Sequence, residues 1–497
     1  MSFNKRTLFF LLIPAVYLLT AINSIGYHHP DEHYQIVEFA GLKGGWNTGE
    51  DLAWEYDAQI RPALQPMLAL AVFKVLNGVG ITDPFQLSAG LRILTAIFAV
   101  FCIGRFVRSF LPVVKESNRT AFVLLSFLLW FLPAISVRFS SETYAGLTLL
   151  LSVALLNFSK KQNALFYTGI GILWGLCFEF RYQMAIPVAG LLFWLIIFKK
   201  EKLSRLFYLL SGGIFVVVCC FLLDSWYYGD WVFVPWNYFK SNIIDNVASH
   251  FGVSPWYFYL EAILNRPTPL IGLLILGALI IFLFRNYRNP VAWCMVPYLL
   301  VHSLIPHKEL RFLFPIAYFV PLILILAFQA IPEKWDGQIK KAVFYPVFAV
   351  AILINTGGII MLSFKPALNG NIAMLQYIKK YYNEVDLFTS AGSNPYTLGN
   401  IKGLTPRFYA NDKVKVKNLS EVMNPRTKEK LHDNDLVLLW AFSSYERKYV
   451  EQLGFKEEHR SIPLWIEKID RFYKVFTNYD YTFVLYSKKS GELGIEN

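Results

Sequence analysis

The sequence predicts a mainly α, polytopic membrane protein of about eleven transmembrane helices, closed by a small C-terminal α/β domain. Three observations predict it. The chain of 497 residues is 55% hydrophobic and only 16% charged, whereas soluble domains average about 25% charged residues. Its apolar residues gather into runs that recur from residue 7 to about residue 363, each near the roughly 20 residues a helix needs to cross a bilayer core. Beyond residue 364 the pattern changes, and a helix-like stretch at 372–382 is followed by strand-like stretches at 385–390, 436–442 and 481–486.

The first run, 7–25, follows Lys5 and Arg6 and has no small-residue cleavage site before His28, so it reads as a retained span. Cytoplasmic loops collect Lys and Arg. The basic loops are 105–119, 160–161, 198–205, 285–288 and 333–341. Between and around them lie spans near 87–107, 120–136, 143–158, 163–180, 183–198, 205–223, 267–285, 290–306, 311–330 and 342–363. The run 62–80 contains Pro62, Pro66, Lys74 and a Gly78-Val79-Gly80 break. Placed in the interface rather than across the membrane, it leaves all five basic loops on one side.

The polar connections 28–61, 138–142, 181–183, 224–266 and 307–311 then share the opposite, non-cytoplasmic face, with Arg92 near it. Residues 1–364 read as the transmembrane catalytic domain, with outer loops 26–61 and 224–266, and residues 365–497 as a soluble extracytoplasmic domain. The net charge of +12 sits largely in the short loops, so it reads as a topology signal and not as a nucleic-acid surface. All five cysteines lie inside apolar runs, which argues against a disulfide framework or a thiolate metal site. Ionisable residues crowd one face instead of the mid-span positions typical of transporters, so transport is the remote alternative.

Four constellations carry chemistry. In His28-His29-Pro30-Asp31-Glu32-His33-Tyr34-Gln35, Pro30 suits a first helical position and Asp31 and Glu32 fall in the first turn. There the helix dipole favours ionised carboxylates. Asp31, Gln35 and Glu38 would share a face, and a carboxylate held ionised just above the membrane suits a general base for a sugar hydroxyl. Helix-start chemistry alone, or a metal site of His29, Asp31 and His33, are the other readings of this block. Next come Trp54-Glu55-Tyr56 and Arg61, where aromatics also serve as interface anchors. The block His307-Lys308-Glu309-Leu310-Arg311 sets three potential cations and one acid at a span end, which fits an anionic ligand or snorkelling anchors. The loop from Asp224 and Tyr228 through Asn237 to Trp256 and Tyr257 suits either sugar faces or a horizontal interfacial helix.

The run His29 to Gln35 resembles the N-terminal signature of family 22 glycosyltransferases, the dolichyl-phosphate-mannose-dependent α-mannosyltransferases of N-glycan and GPI-anchor assembly, with relatives in bacteria. Trp54-Glu55-Tyr56 with Arg61, Asp224-Ser225 with Tyr228-Gly229 and Asn237, Pro255-Trp256-Tyr257, and His307-Lys308-Glu309 with Arg311-Phe312 and Pro315 resemble its later blocks, in family order. Ala53 and Pro62 depart from the pattern, where Thr and Ser are expected. The resemblance implies a GT-C fold with an acidic catalytic base in the first outer loop. That base is Asp31, with Glu32 as helper or second candidate. It further implies that His307, Lys308 and Arg311 face the donor phosphate, and that Trp54, Glu55, Tyr56, Arg61, Asp224, Tyr228, Asn237 and Glu309 bind substrate.

The implied reaction moves mannose with inversion from a polyprenyl- or dolichyl-phosphate carrier to a glycan or glycolipid acceptor. The alternatives are a GT-C transferase using another lipid-linked sugar, or one acting on a protein acceptor. No cofactor is required by this scheme, and a divalent metal is compatible with it but not indicated. The partners are the lipid-linked donor, the acceptor and membrane lipids, not nucleic acid. A bacterial inner membrane is favoured, or the endoplasmic reticulum membrane in a eukaryote.

Overall fold

In the computed structural model, most of the apolar runs become helices and the polar breaks between them become caps and short turns. The structure describes residues 5–158, 163–331, 342, 345–390, 392–397, 404–473 and 482–488. The basic loops at 160–161 and 333–341 lie outside these residues. The described chain is mainly helical and divides into two units.

The first unit comprises residues 1–21, 55–68 and 91–363. Among the described residues, four helices are long and apolar enough to cross a membrane: Pro84–Val113, Tyr182–Lys199, Leu203–Tyr228 and Tyr345–Phe364. Leu310–Ala317 and Val320–Gln329 form a fifth only as a pair bent by 63°. The other apolar helices are shorter, including Ala164–Phe180 and Pro269–Arg285 at 17 residues each. Leu64–Gly78, in the run expected not to cross, has 15 residues, about 22 Å at 1.5 Å per residue.

The run expected as one span over 120–136 is broken into Arg119–Leu128 and Phe131–Ser136. A break frees backbone groups that hydrocarbon cannot satisfy. Asn355, from Tyr345–Phe364, satisfies both sides. Its Oδ1 accepts the Trp130 N–H at 2.8 Å, and its Nδ2 donates to the Leu128 carbonyl at 2.7 Å.

Helices Ala164–Phe180 and Leu203–Tyr228 approach backbone to backbone, as small residues permit where lipid gives no hydrophobic drive to helix pairing. A Cβ on Gly171 would lie 1.9 Å from the Leu209 carbonyl oxygen, and one on Gly212 would lie 2.2 Å from that of Thr168. Overpacking of this kind costs about 1–3 kcal/mol. Gly171→Ala is therefore expected to lower the thermal unfolding midpoint of the detergent-solubilised protein. An unchanged midpoint would contradict this contact.

The second unit comprises residues 22–54, 69–90 and 364–497. Its sheet has the order β2-β1-β3-β5-β4, with β1 Val385–Thr389, β2 Val414–Asn418, β3 Leu436–Trp440, β4 Lys456–Arg460 and β5 Phe483–Ser487. β2, β1 and β3 run parallel, while β5 is antiparallel to both β3 and β4. The strand-like segments of the sequence supply the three inner strands. The edge strands β2 and β4 read VKVKN and KEEHR. Charge on an edge blocks edge-to-edge pairing, and it also erases the apolar pattern by which a strand is recognised. Residues 25–34 join this unit's core, with Tyr27 and Tyr34 packed beside Phe85, Ile372, Leu375 and Tyr409. Asn371 donates to the Tyr27 hydroxyl at 2.9 Å.

Candidate active site

Asp31 stands in the first turn of a helix that begins at Pro30. His29 caps it, its Nδ1 accepting the Asp31 backbone N–H at 3.2 Å, and Glu32 reaches back to accept the His28 N–H at 2.9 Å. The orphan Asp31 N–H of the helix start and the His28 N–H just ahead of the cap are thus met by side chains. The His29 and Asp31 side chains remain 37% and 24% exposed, with Nδ1 and Oδ1 3.4 Å apart. The Glu32 carboxylate ties down the residue before the cap, whereas Asp31 contributes its backbone N–H to the cap and carries its carboxylate, 3.4 Å from His29, at a partly open helix terminus.

The expected face of Asp31, Gln35 and Glu38 does not form. Residues His33–Glu38 are wound as a π-helix, in which positions i and i+5 come together. That turn brings His33 Nε2 to 2.6 Å from Glu38 Oε1, with both side chains buried. Glu38 also accepts from Asn47 Nδ2 at 2.6 Å and from the Phe408 N–H at 3.1 Å. The His33 ring lies between Tyr27 and Tyr409, at 5.2 and 5.3 Å and 19° to each. His33 and Glu38 therefore anchor the helix two residues beyond Asp31, a role that α-helical spacing did not signal. Trp54, at the end of this unit's 22–54 segment, is exposed.

In the first unit, the turn 55–63 is held from several directions. Glu55 is buried and pairs with Arg61 at 3.3 Å. Tyr56 stacks on Tyr228 with centroids 5.5 Å apart. Asp224 Oδ1 accepts the Ala63 N–H at 2.7 Å, the Tyr228 hydroxyl donates to the Arg61 carbonyl at 2.8 Å, and Asn237 Nδ2 donates to the Gln59 carbonyl at 3.3 Å. Three residues expected around substrate thus bind the backbone of the turn that carries Arg61.

The block at 307–312 forms a charge network. Arg311 grips Glu309 with two hydrogen bonds, of 2.6 and 2.9 Å, and reaches Glu142 at 3.0 Å. Glu142 also accepts from Arg181 at 2.7 Å, so one carboxylate bridges two guanidiniums. Both guanidiniums lie over the Phe312 ring, at 4.7 and 5.5 Å. His307 bridges Glu309, 3.0 Å from Nε2, and the Gly252 carbonyl, 2.9 Å from Nδ1. Lys308 turns away from this network: its ammonium donates to the carbonyls of Ile305 at 2.6 Å and Ser254 at 2.8 Å, and burial lowers its pKa. The Arg181 Nε is buried without an acceptor among the described residues. Two guanidiniums against two carboxylates balance in charge, and the open Arg181 donor is left to receive an anion.

Arg181 and Glu142 were legible only as members of polar connections, Glu142 standing 39 residues from Arg181 and 169 from Arg311. Removing one partner of a buried ion pair leaves an uncompensated charge, at a cost of about 3–5 kcal/mol. Glu142→Ala is expected to destabilise the detergent-solubilised protein by that order. Unfolding at the unaltered temperature would show that the pair carries no such burden.

The fold is shared with the solved structure of ArnT from Cupriavidus metallidurans bound to undecaprenyl phosphate, at TM-score 0.50 and 10% identity over 99% of both chains. That likeness is one of fold, and the long apolar helices fit an integral membrane protein. It belongs to the Alg9-like mannosyltransferase family, whose model matches residues 7–391. Similar relatives include GPI mannosyltransferase 3 of Yarrowia lipolytica, 27% identical over 69% of this chain and 66% of that one. GPI alpha-1,2-mannosyltransferase 3 of Danio rerio is 26% identical over 58% of this chain and 53% of its own. The chain thus spans about half to two thirds of the length of these relatives.

Proposed function

We propose that the protein is an inverting mannosyltransferase, taking mannose from a polyprenyl- or dolichyl-phosphate carrier to a glycan or glycolipid acceptor at the non-cytoplasmic membrane face. The carrying observation is the Arg311–Glu142–Arg181 network, in a chain whose family model spans residues 7–391. Its guanidiniums are preformed, with Arg181 buried and Arg311 nearly so, and partly turned to neighbours that an incoming phosphate oxygen can replace.

In the reaction, an acceptor hydroxyl oxygen forms the new bond to the anomeric carbon while Asp31 takes its proton. The bond from that carbon to the carrier's phosphate oxygen breaks on the opposite side, and the electron pair leaves with the phosphate. A β-linked donor gives an α-mannoside. Arg311 and Arg181 oppose the charge growing on the leaving group, where fixed cations act most strongly. Lys308 and His307 hold the loop that carries Arg311, through the carbonyls of Ser254 and Gly252. Reconstituted protein is expected to transfer mannose from polyprenyl-phosphate-mannose in preference to competing lipid-linked sugars, with α-linkage in the isolated product. Preference for another lipid-linked sugar, or a retained β-linkage, would overturn the reading.

A further inference from the structure

We infer that residues 231–257, which join the Leu203–Tyr228 helix to the stretch before Pro269–Arg285, lie in the bilayer interface with their aromatic rings among the lipid headgroups, and that this seating holds the loop of His307 and Lys308. The preceding helix exposes Phe207, Leu210, Ile214, Val218, Leu222 and Trp226 at successive three- and four-residue steps. That is one continuous apolar face on a helix long enough to span, so the face meets lipid. At Gly229, with φ of +78°, the chain turns. Trp231 then folds back onto Phe221 of the same helix, stacked at 5.7 Å, with Phe233 6.3 Å from that ring. The exposed rings of the connection therefore continue the lipid face.

Within the connection, side chains alternate. Val232 and Val234 turn inward against Tyr182, while Trp231, Phe233 and Trp236 turn outward. Trp231, Trp236 and Trp256 are 76%, 54% and 65% exposed. A surface of this kind in water would be an aggregation site. Between a spanning helix and its exposed polar neighbours Lys240, Asp245 and His250, it matches the amphipathic aromatic belt of a membrane interface. The same segment reaches the charge network through its backbone and through the Phe251 ring, 6.4 Å from that of His307. The Gly252 carbonyl binds His307, the Ser254 carbonyl binds Lys308, and the Ser254 N–H donates to the Pro306 carbonyl at 3.0 Å. Lipid seating of the arm thereby sets the position of residues 305–309. This holds whether or not the transferred sugar is mannose.

The full-length protein, reconstituted in phosphatidylcholine brominated at a shallow or a deep acyl position, provides the test. The chain has 13 tryptophans, so the signal read is the difference between the wild type and a variant carrying Trp231→Tyr, Trp236→Tyr and Trp256→Tyr. Shallow bromine is expected to cut that difference by about two-fold or more, deep bromine by less, and aqueous iodide to leave it nearly unchanged. Quenching by iodide without a bromine effect, or by soluble mannose oligosaccharides, would overturn the seating, and the single variants Trp231→Tyr and Trp256→Tyr give the same difference signal if the triple variant fails to fold. For the second half, Trp231→Asp with Trp236→Asp is expected to speed amide exchange at Ser254 by about ten-fold. Unchanged exchange there would separate the arm from the loop.

Discussion

Asp31→Asn is expected to reduce mannosyl transfer by a factor of about 10²–10⁴, the contribution typical of a positioned general base. The substitution keeps the shape of the side chain and removes its capacity to take a proton, together with the charge that faces His29 at 3.4 Å. It leaves the cap intact, because the donor that His29 accepts is the backbone N–H of residue 31, which the substitution does not touch. Membrane insertion and thermal stability should therefore match the wild type, and turnover in proteoliposomes isolates the chemistry. Glu32→Gln makes the comparison sharper. The Glu32 carboxylate accepts the His28 N–H, so its loss should read as a modest weakening of the helix start, about 0.5–2 kcal/mol. Near-normal transfer by the Asp31 variant, or a collapse seen only with the Glu32 variant, would move the base to Glu32.

Arg311→Lys is expected to lower transfer by about 10²–10³, the effect of removing one preorganised charge donor from a transition state. Charge is conserved, but the planar fork that holds Glu309 twice and Glu142 once is lost. An ammonium ion cannot meet that geometry. Because Glu142 stays paired to Arg181, the fold should survive. The loss should fall on turnover at saturating donor more than on apparent donor affinity. Equal transfer by Arg and Lys at this position would mean that a point charge suffices, and it would remove the bidentate grip from the mechanism.

The sequence carried much of the first of these predictions and little of the second. Pro30, Asp31 and Glu32 are neighbours, and a proline ahead of two carboxylates writes a helix start into a few consecutive positions. The π-turn that follows was not legible. His33 and Glu38 meet at a spacing of five, which an α-helical reading sends to different faces. Lys308 looked like a phosphate ligand from its neighbours, yet the surrounding carbonyls supply three acceptors within reach. Asp224, Tyr228 and Asn237 were recognised as a block, but that they grip the backbone of 59–63 depends on how the chain returns.

What the sequence by itself determined are the features set by local pattern: apolar runs long enough to form membrane helices, the capped start at Pro30, the inner strands with their apolar repeats, and the ordered motifs that mark the family. What only the tertiary structure decided are the meetings of residues far apart in the chain. Glu142 bridging Arg181 and Arg311, Asn355 repairing the break at Trp130, and Trp231 folding onto the helix before it all belong to this group. The reason is physical. Periodicity and capping are fixed within a few residues by backbone geometry, whereas the partner of a buried charge or an orphaned carbonyl is whichever group packing delivers to it.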